Sequence, residues 1–378
     1  MRRLLKFDIV HPAAYLRKKQ AEWGDALDGW TLAEYRTRLN ALRSNYSDYY
    51  TAPLNATGRW LAEEYYLLDP VFTRKAAAEV VGSPRDRVRL RWRAEKYKRV
   101  YSKRQAYDMA VAELYVRRFA PDVIFVRSQP FPSLWWQRFR KTSLLVARLS
   151  ARMPRRWHPE DFDLVYTDQP TFQKFFGLHG VDTRLNDQGF DARVADELTE
   201  RPARYDVSFI GGLGSVNFSQ RTRFLESLAH RRPFPWWGYW WPGAAPMSDY
   251  PALAHGFQGA TSGLEMYQTF RDSRINLNDY VDTADGVGFN QRLFEVLGSG
   301  GFLLTRAARN FADAFPDDIF ATYTDEADCL RQIAYFLEHE EERLAIARRG
   351  QAYMREHYDF SRIALGFERD ISALLDAQ

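Results

Sequence analysis

A single cysteine, Cys329, is all that 378 residues hold. One thiol excludes an internal disulfide and a cysteine-built metal cluster, and a reducing cytoplasm is the simplest reading. No run of about 18 apolar residues occurs, so no transmembrane helix is expected. The opening, MRRLLKFDIVHP, has two arginines, but Lys6 and Asp8 break its apolar stretch. It lacks the apolar region of a signal peptide and reads as a first strand. His11, His158, His179, His230, His255, His339 and His357 show no metal spacing. No internal repeat or low-complexity tract stands out. The length suggests two domains.

The net charge of +4 hides an asymmetry. Residues 1–160 hold 32 Lys/Arg against 16 Asp/Glu, a net of +16, while residues 161–378 hold 21 against 33, a net of −12. A basic half points to an anionic partner. Its two densest stretches are 85–104, RDRVRLRWRAEKYKRVYSKR, and 127–156, which has no acidic residue and carries Trp135 and Trp136, with Trp157 just beyond. A solvated face over core tryptophans is one reading. A surface for anionic lipid headgroups, a lipid-pyrophosphate acceptor or a polyanionic glycan is the other. No nucleic-acid-binding motif is present, so no nucleic acid is expected as a partner.

Along the chain, residues 1–10 read as a strand. Residues 12–118 are mostly helical in pattern, with breaks at Pro53, Pro70 and Gly82-Ser83-Pro84. Ala120 to Val126 is a turn followed by a buried strand. Leu144 to Leu149 is an apolar run, helix or strand. Phe162 to Thr167 is a strand, with a helix start at Asp168 to Thr171. This alternation predicts a parallel sheet with crossover helices. The polar stretch 191–204, DARVADELTERPAR, reads as the connector, leaving domains at 1–195 and 203–378. The second opens with a strand, Tyr205 to Ile210, and a Gly-rich loop, Gly211-Gly212-Leu213-Gly214. Helices are expected near 219–230, 263–272 and 338–350 and from Ser361 onward.

The densest signal is 274–305, RINLNDYVDTADGVGFNQRLFEVLGSGGFLLT. It reads as strand, Gly-rich turn, short amphipathic helix and second strand, a βαβ unit. Its helix N-terminus would aim backbone N–H groups at whatever lies above the carboxyl ends of the strands, a spot that suits phosphate. Glu295 sits one turn into that helix with Arg292 on the same face at i−3.

These residues carry a family resemblance. Leu277-Asn278, Gly288-Phe289-Asn290, Arg292-Leu293-Phe294-Glu295, the small residues 298–301 and Leu303-Leu304-Thr305 resemble the C-terminal half of nucleotide-sugar glycosyltransferases of GT-B architecture, closest to the CgeB-like branch. Ser208 to Gly212 is similar to the family's opening of the second domain, 263–267 (GLEMY) to its helix, and 346–362 to its C-terminal signature. The resemblance covers most of 205–365 strongly and 45–195 more weakly. It implies an α/β fold of two Rossmann-like domains facing across a cleft, with extra helices in the first. The first domain would take the acceptor and the second the nucleotide sugar, and the last helix often crosses back to the first.

The resemblance also implies roles. Glu295 would accept the ribose hydroxyls, a bidentate arrangement suited to a vicinal diol. The 288–292 turn would face the pyrophosphate, with Arg292 steadying the leaving charge. Gly211, Gly212 and Gly214 would let backbone approach phosphate or sugar. A tight strand-to-helix turn is the plainer reading of those glycines. Arg221 and Arg223 are phosphate candidates or members of a solvated helix face. Trp236, Trp237, Gly238 and Tyr239 stand where such folds build a base-stacking wall, or are core. Glu265 and Tyr267 match the helix beside the donor pocket, and Asn276 and Asn278 end a strand within reach of sugar hydroxyls. Many retaining relatives carry a glutamate eight residues before the ribose-binding one. Here Val287 stands there, leaving that role to Asn290, Asp285 or Asp282, or unfilled. Asp168 is the tentative base, with Asp48 and His11 behind it. No Asp-x-Asp motif of the kind metal-dependent glycosyltransferases use is read, so neither metal nor cofactor is expected.

The implied function is a metal-independent glycosyltransferase, cytoplasmic or peripheral at the inner membrane face. It would move a sugar from a nucleotide-diphosphate donor to a glycan or lipid-linked acceptor in surface glycan biosynthesis. Two alternatives remain at this stage: a nucleotide-sugar epimerase of the same fold, and a non-catalytic module docking an anionic membrane or polyanion.

Overall fold

The structure, a computed structural model, describes the chain apart from residues 45–46, 150–156, 186–187, 215–218, 242–244, 281–285, 287, 289 and 378. Its contacts divide it into two units, Met1–Asp187 with Ser361–Gln378, and Gln188–Phe360. The stretch 191–204 lies in the second unit and is not a bare connector, since Ala192–Glu197 is helical.

The first unit holds a six-stranded sheet in the order β2-β1-β3-β4-β5-β6. These strands are β1 (Arg2–Asp8), β2 (Trp60–Tyr66), β3 (Val123–Val126), β4 (Leu144–Arg148), β5 (Leu164–Thr167) and β6 (Thr183–Leu185). Every pairing is parallel. Strands β3, β4 and β5 are buried along their whole length, which explains their continuous apolar runs: helices cover both faces of a parallel sheet. The 144–149 run is therefore a strand.

Two expectations for residues 12–118 need correcting. Residues 60–66, WLAEEYY, form β2 and lie along β1 in register Arg2↔Trp60. Their two glutamates obscure any strand alternation, and pairing with a distant strand decides the outcome. The break at Gly82-Ser83-Pro84 is present, between the Pro70–Val80 and Pro84–Lys98 helices, but Pro53 is not a break. Pro70 and Pro84 open helices at the first position, where a missing N–H costs nothing, and Pro53 sits in the first turn of the Thr51–Ala56 helix.

The second unit holds a five-stranded sheet, order β11-β10-β9-β7-β8. Its strands are β7 (Tyr205–Leu213), β8 (Trp236–Trp240), β9 (Ser273–Asn278), β10 (Leu303–Arg306) and β11 (Ala321–Tyr323), again all parallel. The core packs Phe209, Leu225, Trp236, Leu277, Leu304 and Ile333 between sheet and helices. The βαβ unit is present as read: β9, the Gln291–Gly298 helix and β10.

The last helix, Phe360–Asp376, belongs almost wholly to the first unit. Its Phe367 ring packs 4.7 Å from Phe125, and its Glu368 accepts from Arg59 and from the Trp60 indole at 2.9 Å.

Candidate active site

The carboxyl ends of β9 and β10 meet the start of the Gln291–Gly298 helix. Asn290 caps that helix, its side chain accepting from the Leu293 N–H. The Asn278 and Asn290 amides pair reciprocally, at 3.2 and 3.0 Å. Asn278 gives its second N–H to the Thr305 hydroxyl at 3.0 Å. One side chain thus ties β9, β10 and the helix start together, and its donors are engaged inside the domain. Asn276 is likewise internal, donating to the carbonyls of Phe270 and Phe302 and accepting from Ser208.

Arg292 and Glu295 form a close ion pair, Nη1 to Oε2 at 2.6 Å. It is not a surface pair, because Glu295 is only 3 % exposed. Arg292 also contacts the Met266 sulfur at 3.0 Å and lies over the Phe270 ring. Burial pushes the Glu295 carboxyl above the usual range, and the Arg292 cation pulls it back only in part. An exposed i, i+3 pair is worth a few tenths of a kcal/mol. A buried one pays desolvation on both ions, so its placement needs another reason.

The expected Gly-rich loop is mostly strand. Gly211 and Gly212 lie within β7 and pair with Gly238 and Tyr239 of β8. Only Gly214, at φ +83°, turns the chain. Strand pairing explains the glycines: a Cβ on Gly212 would fall 2.8 Å from the Tyr239 ring. Arg221 is buried and donates to the carbonyls of Gly212 and Asp279, at 3.2 Å for the latter, so it clamps the ends of β7 and β9. Arg223 is exposed on the same helix.

The aromatic stretch splits by role. Trp236 is core, its indole donating to the Leu253 carbonyl at 2.7 Å. Trp237 packs edge-on against Tyr205, near the start of β7. Tyr239 and Trp241 are the open pair, rings 5.4 Å apart and 46 % and 40 % exposed. Burial of its hydroxyl end raises the Tyr239 pKa, while Arg221 and Arg292 act on it in the other direction, so both cations lie near this ring. Trp241 was missed from sequence, although it continues the same aromatic run.

Glu265 stands half-buried in the first turn of the Gly263–Arg271 helix, whereas Tyr267 is buried edge-on against Phe190. Gly288 is held by Asn310, which accepts from its N–H at 2.8 Å and donates to its carbonyl at 3.3 Å. Phe289 lies outside the described residues, as do Val287, Asp282 and Asp285. Sequence reasoning also passed over Asp279 and Arg306, a forked pair at 2.8 and 2.9 Å across the ends of β9 and β10. The available signal was a charged residue at the carboxyl end of each strand, Asp279 directly after β9 and Arg306 closing β10.

The remaining candidates belong to the first unit. The Asp168 carboxylate is buried 3.6 Å from Arg148 Nη2. Arg148 also donates to the Tyr50 hydroxyl at 3.2 Å. Asp48 faces Arg43 at 3.6 Å, and buried His11 packs against Tyr15. The sequence does contain one Asp-x-Asp tripeptide, Asp161-Phe162-Asp163. Both carboxylates are structural. Asp161 accepts from Ser133 and Gln137, and Asp163 accepts from Arg140 and from the Leu145 N–H at 2.8 Å. Among the described residues no three His, Cys, Asp or Glu side chains gather as a metal site. No helix among them is long and apolar enough to cross a membrane.

Residues 220–368 match the family model described as "Glycosyl transferase-like". No curated protein matches the chain. Among solved structures, the chain is similar to sucrose-phosphate synthase from Thermosynechococcus elongatus, at TM-score 0.57 and 11 % identity over all of both chains. It is also similar to Anabaena Alr3699/HepE in complex with UDP-glucose, at TM-score 0.57 and 13 % identity over 99 % of this chain and 100 % of that one. A third is the N-terminal domain of Candida albicans trehalose-6-phosphate phosphatase, at TM-score 0.53 and 13 % identity over 99 % and 97 %. With two parallel sheets in two units, the chain has the fold of the GT-B glycosyltransferases, and its residues 220–368 are a glycosyl transferase-like segment.

Proposed function

We propose that the protein is a glycosyltransferase whose second unit binds a nucleotide-diphosphate sugar and whose product is a glycosylated acceptor hydroxyl. The observation that carries this reading is the buried Arg292–Glu295 pair, one turn into a helix at the carboxyl edge of a parallel sheet. It lies inside the segment that matches the family model. A carboxylate at this place can accept the two hydroxyls of a ribose diol. Arg292 and the N-terminus of the helix would steady the diphosphate as the bond to the sugar carbon breaks. Tyr239 and Trp241 offer an open aromatic face to a base.

UDP is the first nucleotide to try, because a HepE structure of this fold holds UDP-glucose. The reading includes no divalent ion, since arginines and the helix dipole supply the positive charge. The acceptor is a glycan or lipid-linked hydroxyl in surface glycan synthesis, reached from the cytoplasmic side of a membrane.

The test is thermal stabilisation by UDP, GDP, CDP, dTDP and ADP, each with and without its sugar, on wild type and Glu295→Ala. A ligand at about 100 times Kd adds roughly 2.7 kcal/mol to the folded state. A shift with one base that disappears in the variant supports the reading. No shift with any nucleotide overturns it.

A further inference from the structure

The helix Pro84–Lys98 carries seven Lys/Arg against two Asp/Glu. Its inner face, Leu90, Arg93, Ala94 and Tyr97, turns toward the protein, and Arg93 is paired with Glu113. Its outer face repeats at three- and four-residue spacing: Arg85, Val88, Arg89, Trp92, Lys96 and Arg99, all exposed. Val88 is 68 % exposed and Trp92 61 %. A large aromatic and a β-branched residue one turn apart, both in water, are costly to leave uncovered. The cations around them are not matched from within: Arg85, Arg87, Arg91 and Arg99 make no ion pair with a described residue.

A groove of about 820 Å³ lies along the inner side of the same helix. Its floor is apolar, with Ala77, Val81, Leu90 and Ala94, and its rim mixes Arg91, Lys98 and Arg104 with Glu95, which pairs with Lys98. The outer face, an exposed apolar pair among cations, fits a molecule that is apolar at one end and anionic at the other. Phospholipid has that chemistry, and a membrane presents it as a surface. A free polyanion matches the cations but leaves Val88 and Trp92 without a partner.

We propose that this face docks on an anionic phospholipid membrane. Val88 and Trp92 enter the boundary between headgroups and acyl chains, while Arg85, Arg89, Lys96 and Arg99 meet lipid phosphates. The inference extends the transferase reading to an acceptor held at a membrane, and its test needs no nucleotide.

The experiment is co-sedimentation of the full chain with vesicles of phosphatidylcholine alone and of phosphatidylcholine mixed with phosphatidylglycerol, at low and high salt. Binding is expected only to the mixed vesicles, and each cation removed should weaken it about fivefold. Val88→Ser with Trp92→Ala should weaken it at least roughly tenfold, because apolar burial is lost. Acyl-brominated phosphatidylglycerol should quench wild-type fluorescence more than that of Trp92→Phe. These positions are exposed, so circular dichroism and melting temperature should match wild type. Equal binding to both vesicle types overturns the proposal. So does undiminished binding by the Val88/Trp92 variant with loss in an Arg85→Glu/Arg89→Glu variant, which would identify a polyanion surface instead.

Discussion

Arg292 Nη1 stands 2.6 Å from the Glu295 carboxylate, and the carboxylate has almost no access to water. In the proposed reading a nucleotide's ribose hydroxyls donate to this carboxylate. Glu295→Gln keeps the shape and removes the charge. It is expected to weaken donor binding by about 10–100-fold, the loss of a charge-assisted hydrogen bond. Isothermal titration with the nucleotide found by the thermal screen would measure it.

The same residue sets a pH dependence. Burial raises the Glu295 pKa above the ordinary 4.5. Donor affinity is therefore expected to fall on an acid limb lying above pH 4.5, and that limb should be absent in Glu295→Gln. Stability runs the other way. A raised folded-state pKa means that this group's contribution is full below 4.5 and is lost as pH rises through the raised value. Affinity and melting temperature measured across one pH series should show opposite slopes, with the stability slope missing in the variant.

Gly238 lies against β7, at φ +147°, and a Cβ there would stand 1.9 Å from the Gly211 carbonyl oxygen. No side-chain rotation relieves a backbone clash. Gly238→Ala is expected to cost about 3 kcal/mol or to prevent soluble folding. Chemical denaturation would read the difference. A variant as stable as wild type would show that β8 can move away from β7.

Asp168 is the base candidate from the sequence, and its carboxylate is buried 3.6 Å from Arg148 Nη2. Asp168→Asn leaves a buried arginine without its carboxylate partner, a cost of about 3 kcal/mol. Over a unit of this size that lowers the melting temperature by about 6–12 °C. Loss of transfer at unchanged melting temperature would instead mark Asp168 as the base.

Transfer itself should survive EDTA, since Arg292 and the helix N-terminus supply the positive charge in this reading. Activity that disappears on chelation and returns with a divalent ion would refute that part of the mechanism.

Cys329 is buried in the second core, and its thiol is pushed up to about 12, chiefly by desolvation. Thiolate is scarce at neutral pH, so a disulfide reagent is expected to label nothing in the native protein and one thiol after unfolding. The labelling rate then reports opening of this unit.

Several parts of this protein could be read from the sequence alone. Alternating apolar runs and amphipathic stretches announce a parallel α/β fold. The order strand, Gly-rich turn, helix, strand around Asn278 and Glu295 locates the candidate site. Those signals are local: they follow from side-chain period and from what a turn tolerates. Tertiary structure decided the rest. Residues 60–66 became β2 because they lie along β1 in register Arg2↔Trp60. Gly211 and Gly212 became strand because β8 lies alongside, and the 360–376 helix joined the first unit through Phe367 and Glu368. Asn278 was legible as a strand end, but only the folded domain points its amide at Asn290 and Thr305. Above all, the spacing of Arg292 and Glu295 looks the same on an exposed helix as on a buried one. Burial depends on what other parts of the chain pack over them, and that packing makes the pair chemically distinct.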